Sequence, residues 1–111
     1  MADKKIPYTI QKLAPCDTDL AKELFRFFQT DDGVAEPVIP TDKYINALLL
    51  RDDFHVVVAL ENDILIGGLT AYELAMYKEE IKEMFLYEIA VEPAISYKYI
   101  SFISSLYIAN S

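Results

Sequence analysis

The chain has no tryptophan, one cysteine, one histidine and three glycines among its 111 residues. Each scarcity removes a class of chemistry. A lone cysteine, Cys16, cannot close an internal disulfide, which points to a reducing cytoplasm. A lone histidine, His55, has no second imidazole with which to build a zinc site, and Cys16 has no metal companion, so no metal is expected. Cys16 precedes a predicted helix, a setting that lowers a thiol pKa, but no base lies near it in the chain and a nucleophilic role is not expected. Neither a Gly-x-Ser-x-Gly elbow nor a P-loop occurs. Basic residues are few: ten Lys and Arg stand against 18 Asp and Glu, for a net charge of −8. That balance disfavours nucleic acid and anionic membranes as partners. It suits a cationic small molecule, and equally well simple solubility. No apolar run approaches the roughly 20 residues that span a bilayer. Met1-Ala2-Asp3-Lys4-Lys5 lacks the long apolar region of a secretory signal.

What is present is apolar and aromatic. Hydrophobic residues make up 53% and aromatic residues 13%, including eight Tyr and six Phe, which argues for a folded core. The length and the absence of repeats or linkers suit a single domain over residues 1–111. Tyr8 to Leu13 alternates and ends at Ala14-Pro15, predicting a first strand. Asp17 or Thr18 can cap a helix that gathers Leu20, Leu24, Phe27 and Phe28 on one face, with Lys22, Glu23, Arg26 and Gln29 largely on the other. Thr30 to Pro40 reads as an acidic loop carrying Asp31, Asp32 and Glu36. It is either a solvated connection or one wall of a site for a polyamine. Thr41 caps a second helix with Tyr44, Ile45, Leu48 and Leu49 at helical spacing. Phe54 to Leu60 and Ile64 to Met76 form an antiparallel hairpin across Glu61-Asn62-Asp63. Gly67-Gly68 inside its second arm predicts a bulge or a close backbone approach. His55, early in the valine-rich strand, reads as a strand-end or core residue.

The stretch Met84-Phe85-Leu86-Tyr87-Glu88-Ile89-Ala90-Val91-Glu92-Pro93 reads as a strand apolar on both faces except at Glu88, and so as a central strand covered on both sides. A carboxylate there is a candidate general base, its pKa raised by low polarity. The other reading is a face or edge position with a basic partner. After Pro93 the character changes. Residues 94–111 carry one charge, Lys98, with five serines and no glycine. Tyr99, Phe102 and Leu106 fit a broadly apolar helix from about Tyr97 to Ala109.

The order of elements resembles the first half of the GNAT superfamily of acetyl-CoA-dependent N-acetyltransferases, and more closely its aminoglycoside 3-N-acetyltransferases. Three stretches carry the resemblance, which runs from about residue 8 to 93. Tyr44-Ile45-Asn46-Ala47-Leu48-Leu49 is similar to the family's second-helix segment. Ile66-Gly67-Gly68-Leu69-Thr70-Ala71-Tyr72 is similar to its third strand. Leu86-Tyr87-Glu88-Ile89-Ala90-Val91 is similar to its fourth strand, where a Tyr-Asp pair precedes Leu-Ala-Val. The resemblance implies an α/β (α+β) fold: a mostly antiparallel four-stranded sheet with two helices, plus the apolar C-terminal helix. It implies acetyl-CoA as substrate, its pantetheine arm paired to the backbone of Ile89, Ala90 and Val91. One of those N–H groups would face the thioester oxygen. Glu88 would be the base for an amine acceptor, with Tyr87 beside it and Asp31, Asp32 and Glu36 as contacts for a polycation.

The resemblance fails after the fourth strand. There the family has a glycine-rich turn, Gln/Arg-x-x-Gly-x-Gly/Ala, whose N–H groups hold the pyrophosphate. Here Glu92-Pro93-Ala94-Ile95-Ser96-Tyr97-Lys98-Tyr99 stands instead, and no glycine follows Gly68. The expectation is a truncated or frame-shifted acetyltransferase, weak or inactive, with a divergent natural short form as the rival account of the tail. The alternative function is a non-catalytic remnant or dimerising module without cofactor binding. In either case an apolar fourth strand without its fifth neighbour predicts a homo-oligomer, formed through that edge or through the tail.

Overall fold

The computed structural model describes residues 8–92. The predicted C-terminal helix, the 94–111 tail and the residues that stand where the family's pyrophosphate turn would be lie outside them. Six elements follow in order: β1 (Thr9–Lys12), α1 (Thr18–Asp31), α2 (Asp42–Leu49), β2 (Phe54–Glu61), β3 (Ile64–Ala75) and β4 (Lys82–Val91). The strands form one antiparallel sheet in the order β1-β2-β3-β4. This is the α+β arrangement expected.

The helix boundaries follow from capping. Thr41 Oγ1 accepts the Tyr44 N–H at 3.2 Å, satisfying one of the donors left open at the start of α2. Asp17 stands at the N-cap of α1 but does not cap it; its carboxylate instead accepts the Ala14 N–H at 2.8 Å, closing the turn before the helix. Helix α1 ends on Gly33. There φ is +89°, Gly33 N–H donates to the Thr30 carbonyl and Val34 N–H to the Gln29 carbonyl. This is the left-handed helix stop that glycine adopts without steric cost. The β2–β3 hairpin turns on Asn62 and Asp63, both with positive φ, between the paired residues Glu61 and Ile64. That two-residue turn matches the twist of the flanking strands.

Packing explains why these elements stay together. Leu24 and Phe28 of α1, with Ile45 and Leu49 of α2, pack on Phe54, Val56 and Val58 of β2 to form one core cluster. Val57, Ala59, Ile66, Leu69 and Ala71 form a second cluster on the opposite face. Residues 54–60 are therefore buried throughout, so the strand covered on both sides is β2. The central position expected of the fourth strand is not what the structure shows. Among the described residues β4 pairs only with β3, and Phe85, Leu86 and Tyr87 are 42%, 50% and 71% exposed. An apolar run marks a strand that avoids water in its final assembly; it does not say whether sheet, helix or partner provides the cover.

Gly67 and Gly68 fit both readings made of them. A Cβ on Gly67 would stand 2.6 Å from the Ala90 carbonyl oxygen, and one on Gly68 would stand 2.6 Å from that of Val57. Beside them the β2–β3 register slips: Ala59 faces Gly67 while Leu60 faces Leu65, leaving Ile66 as the extra residue of a bulge. His55 is buried, as expected of a core histidine, with Nε2 2.5 Å from Glu73 Oε2.

Candidate active site

The site begins with an irregularity in β4. Glu88 faces Thr70 of β3, but the next pairing joins Leu86 to Ala71, so Tyr87 is the extra residue of a second bulge. In a regular strand, consecutive side chains point to opposite faces. A bulge re-aims one of them. Here Tyr87 and Glu88 both line a single cleft on the helix side of the sheet, which encloses about 320 Å³.

Its floor is Thr70 and Tyr72 of β3, with Phe54 of β2 beside them. The Tyr72 ring lies 4.9 Å from that of Phe54 and meets Tyr87 edge-on at 5.6 Å. Such contacts fix ring orientation as well as burying surface. Burial, and then the neighbouring Tyr87, raises the Tyr72 hydroxyl above its usual pKa, so at neutral pH it is a phenol with a proton to donate. The opposite wall is the end of α1, with Phe25, Phe28, Gln29 and Asp32, continued by Val38 and Pro40 of the following loop.

Among the described residues no Lys, Arg or His lines the cleft around Glu88. Its carboxyl is half-buried, and that burial raises its pKa above the ordinary 4.5. The charge of Asp32, a hydrogen bond shared with it, and the charge of Asp31 push in the same direction. A carboxyl so placed returns and accepts protons closer to neutrality than a free glutamate does.

The backbone beyond Glu88 faces the other way. Glu92 N–H donates to the Ile66 carbonyl at 2.8 Å, and the register runs on through Val91–Gly67, Ala90–Gly68 and Ile89–Leu69. In an antiparallel ladder, pairs that exchange hydrogen bonds alternate with pairs that do not. Ala90 is therefore bonded to β3, while the N–H and C=O groups of Ile89 and Val91 point to the outer edge. No other described strand pairs with that edge. An edge of this kind, open at Ile89 and Val91, can pair with an extended chain as it would with an added strand. Ala90, expected to contribute its backbone as well, has those groups engaged with Gly68.

Other expected residues divide. Tyr87, Glu88 and Asp32 meet in the cleft, and Asp31 stands close enough to act on Glu88. Glu36 is exposed and does not line the cleft. Thr70, Tyr72 and Gln29 were not picked out from the sequence as site residues. Thr70 and Tyr72 carry a readable signal, since they alternate on one face of β3 opposite Glu88. Gln29 carries none, because its partner, Val38, lies across a loop. Cys16 is exposed and no cluster among the described residues could hold a metal ion.

No family model and no curated protein matches the chain. Solved structures do. An aminoglycoside acetyltransferase from an uncultured soil metagenomic sample superposes with a TM-score of 0.80 at 28% identity, covering 95% of this chain and 74% of its own. A second aminoglycoside acetyltransferase of the same kind of source, solved in complex with sisomicin, gives 0.79 at 28% identity over 94% and 72%. The fold is that of the GNAT acetyltransferases. A ribosomal-protein-alanine N-acetyltransferase from Brucella melitensis biovar Abortus 2308 shares that fold at a TM-score of 0.73 and 19% identity, over 93% of this chain and 70% of its own. In the GNAT frame the bulged strand is the fourth. No helix among the described residues is long and apolar enough to cross a membrane.

Proposed function

We propose that this chain is an acetyl-CoA-dependent N-acetyltransferase whose acceptor is an amine borne by a polycation of the aminoglycoside kind. The observation that carries the proposal is the junction in β4. At Tyr87–Glu88 the strand turns two side chains into an acidic, aromatic cleft, and from Ile89 it turns free backbone to the outside. The two substrates of an acetyl transfer would meet there.

The chemistry follows from what an amine needs. Only a neutral amine attacks a thioester, so Glu88 takes the ammonium proton directly or through one water. The nitrogen–carbon bond forms and the carbon–sulfur bond breaks; the second proton, which the nitrogen sheds as the amide forms, goes to the departing thiolate, and the first passes from Glu88 to solvent. An N–H of Ile89 or Val91 faces the thioester oxygen and stabilises its developing charge. Asp31 and Asp32 hold a second ammonium of the acceptor, and the faces of Tyr72 and Tyr87 suit a cation as well. With no glycine after Gly68, the pyrophosphate is held poorly and turnover is slow.

A thermal-shift titration with acetyl-CoA is the first test. A hundredfold excess over Kd stabilises the fold by about 2.7 kcal/mol, a rise of roughly 10 °C or more for a domain of this size. A second experiment follows thiol release with an aminoglycoside as acceptor. No thermal shift at millimolar acetyl-CoA, together with no thiol release, sinks the proposal.

The exposed Phe85, Leu86 and Tyr87 on the β4 edge favour a second reading, a dimerising module built on the same fold. Apolar edges of this kind seek a partner. Sedimentation that shows only monomer at high concentration removes it.

A further inference from the structure

We infer that Gln29 is a positioning residue, which fastens the loop after α1 as one wall of the cleft and so sets the affinity for the acceptor. The inference deepens the acetyltransferase reading and rests on it for the identity of the acceptor. Gln29 grips the loop at both ends. Its main-chain carbonyl accepts the Val34 N–H at 2.8 Å. Its side-chain amide makes a two-bond clamp on Val38: Nε2 donates to the Val38 carbonyl at 2.9 Å, and Oε1 accepts the Val38 N–H at 2.9 Å. Between these holds lie Ala35, Glu36 and Pro37; Val34 and Val38 are both exposed, and the first apolar anchor is Ile39, packed against the core. Before Ile39, hydrophobic burial does little to fix this segment, and the glutamine amide fixes Val38. The consequence reaches Glu88, because Val38 and Pro40 line the same cleft as its carboxyl.

The test uses Gln29→Met, which keeps helix propensity and side-chain length and removes both amide hydrogen bonds. Its first readout needs no ligand: the carboxyl titration of Glu88 followed by carbon-13 NMR. The groups that face Glu88 are Asp31 and Asp32 from the end of α1, Tyr72 from β3 and Tyr87 on its own strand. When the clamp is lost Val38 and Pro40 no longer close the cleft beside Glu88, its carboxyl gains water, and Glu88 titrates at lower pH than in the unmodified chain. The second readout is binding. The Kd for sisomicin, used as a probe, rises about fivefold, while that for acetyl-CoA is unchanged. An unmoved Glu88 titration overturns the inference, as does an equal loss of affinity for both ligands. If Gln29→Met does not fold, judged by circular dichroism, Gln29→Ala carries the same measurements. A chain that binds neither ligand before any substitution refutes the acetyltransferase reading instead, and the Glu88 titration still decides the role of Gln29.

Discussion

Replacing each strand glycine by alanine separates the fold from the site. At Gly68 the new methyl would meet the Val57 carbonyl oxygen at 2.6 Å and Leu24 Cδ1 at 2.8 Å. Ordinary carbon–oxygen contacts lie beyond about 3.2 Å, so one of these atoms must move by about half an ångström. Leu24 is fully buried, and Val57 lies in the central strand. Overpacking of this kind costs about 1–3 kcal/mol. The lower chain entropy of alanine returns roughly 0.5–1 kcal/mol. A net loss of about 1–2 kcal/mol lowers Tm by roughly 4–15 °C in a domain of this size. At Gly67 the methyl would strike Ala90 O at 2.6 Å and Val91 Cα at 2.9 Å, both backbone atoms of β4. Relief there must push β4 away from β3, and with it the outward groups of Ile89 and Val91. Gly68→Ala is thus expected to lower Tm and leave the acetyl-CoA shift intact, whereas Gly67→Ala lowers both. Differential scanning calorimetry with and without acetyl-CoA reads the two effects. A Gly67→Ala chain with unchanged Tm and an unchanged acetyl-CoA shift would refute the reasoning.

Glu88→Gln is expected to keep the fold and reduce kcat/KM by about 10²–10⁴, with acetyl-CoA binding preserved; equal activity in the two proteins would remove Glu88 as the base. The same substitution has a signature in stability. The Glu88 pKa is higher folded than the ordinary 4.5, so the folded state holds this proton more tightly than the unfolded chain does. Its contribution is present below that ordinary value and is lost as pH rises through the folded one. Urea midpoints of Glu88→Gln relative to the unmodified chain should therefore climb as pH rises from about 4, and a flat or falling difference contradicts the assignment. Thr41→Ala removes the acceptor for the Tyr44 N–H and should cost about 1 kcal/mol, or roughly 4–8 °C in Tm. An unchanged melting curve would mean that α2 does not depend on this cap.

How far the sequence could be read depended on how local each signal was. Thr41 and Asn62-Asp63 act within a few residues, and the start of α2 and the hairpin turn followed from them. Asp17 shows the limit of such signals. Its position suits a cap, yet its carboxylate closes the preceding turn through Ala14. Glu88 stood out because a carboxylate in an apolar strand demands a reason. Its surroundings did not, since Asp32 reaches it only through the packing of α1 over β3 and β4. The bulge at Tyr87 was likewise silent. Nothing in Leu86-Tyr87-Glu88 differs from regular alternation until the register with β3 is known. Glu36 illustrates the converse: charge alone placed it with Asp31 and Asp32, but it is exposed and does not line the cleft.

The bulge also decides whether self-association and acetyl-CoA compete. An edge strand open to pairing is a liability, and bulges and charges are the usual defences. Strand β4 has both: Lys82 and Glu83 at one end, Glu92 just beyond the other, and the extra residue Tyr87 between. A second copy adding to this edge needs a regular run of hydrogen-bonding groups. The bulge divides the strand into two such runs, Lys82–Leu86 and Glu88–Val91. The exposed apolar side chains, Phe85 and Leu86, lie in the first run. The outward groups assigned to acetyl-CoA, on Ile89 and Val91, lie in the second. A dimer driven by burial of Phe85 and Leu86 therefore uses the first run and leaves the second free. Saturating acetyl-CoA should then leave the sedimentation coefficient of the dimer unchanged, and Leu86→Lys should yield a monomer that still binds acetyl-CoA. A dimer that dissociates as acetyl-CoA is added would place the contact across Ile89–Val91 and show that the two ligands of this edge exclude one another.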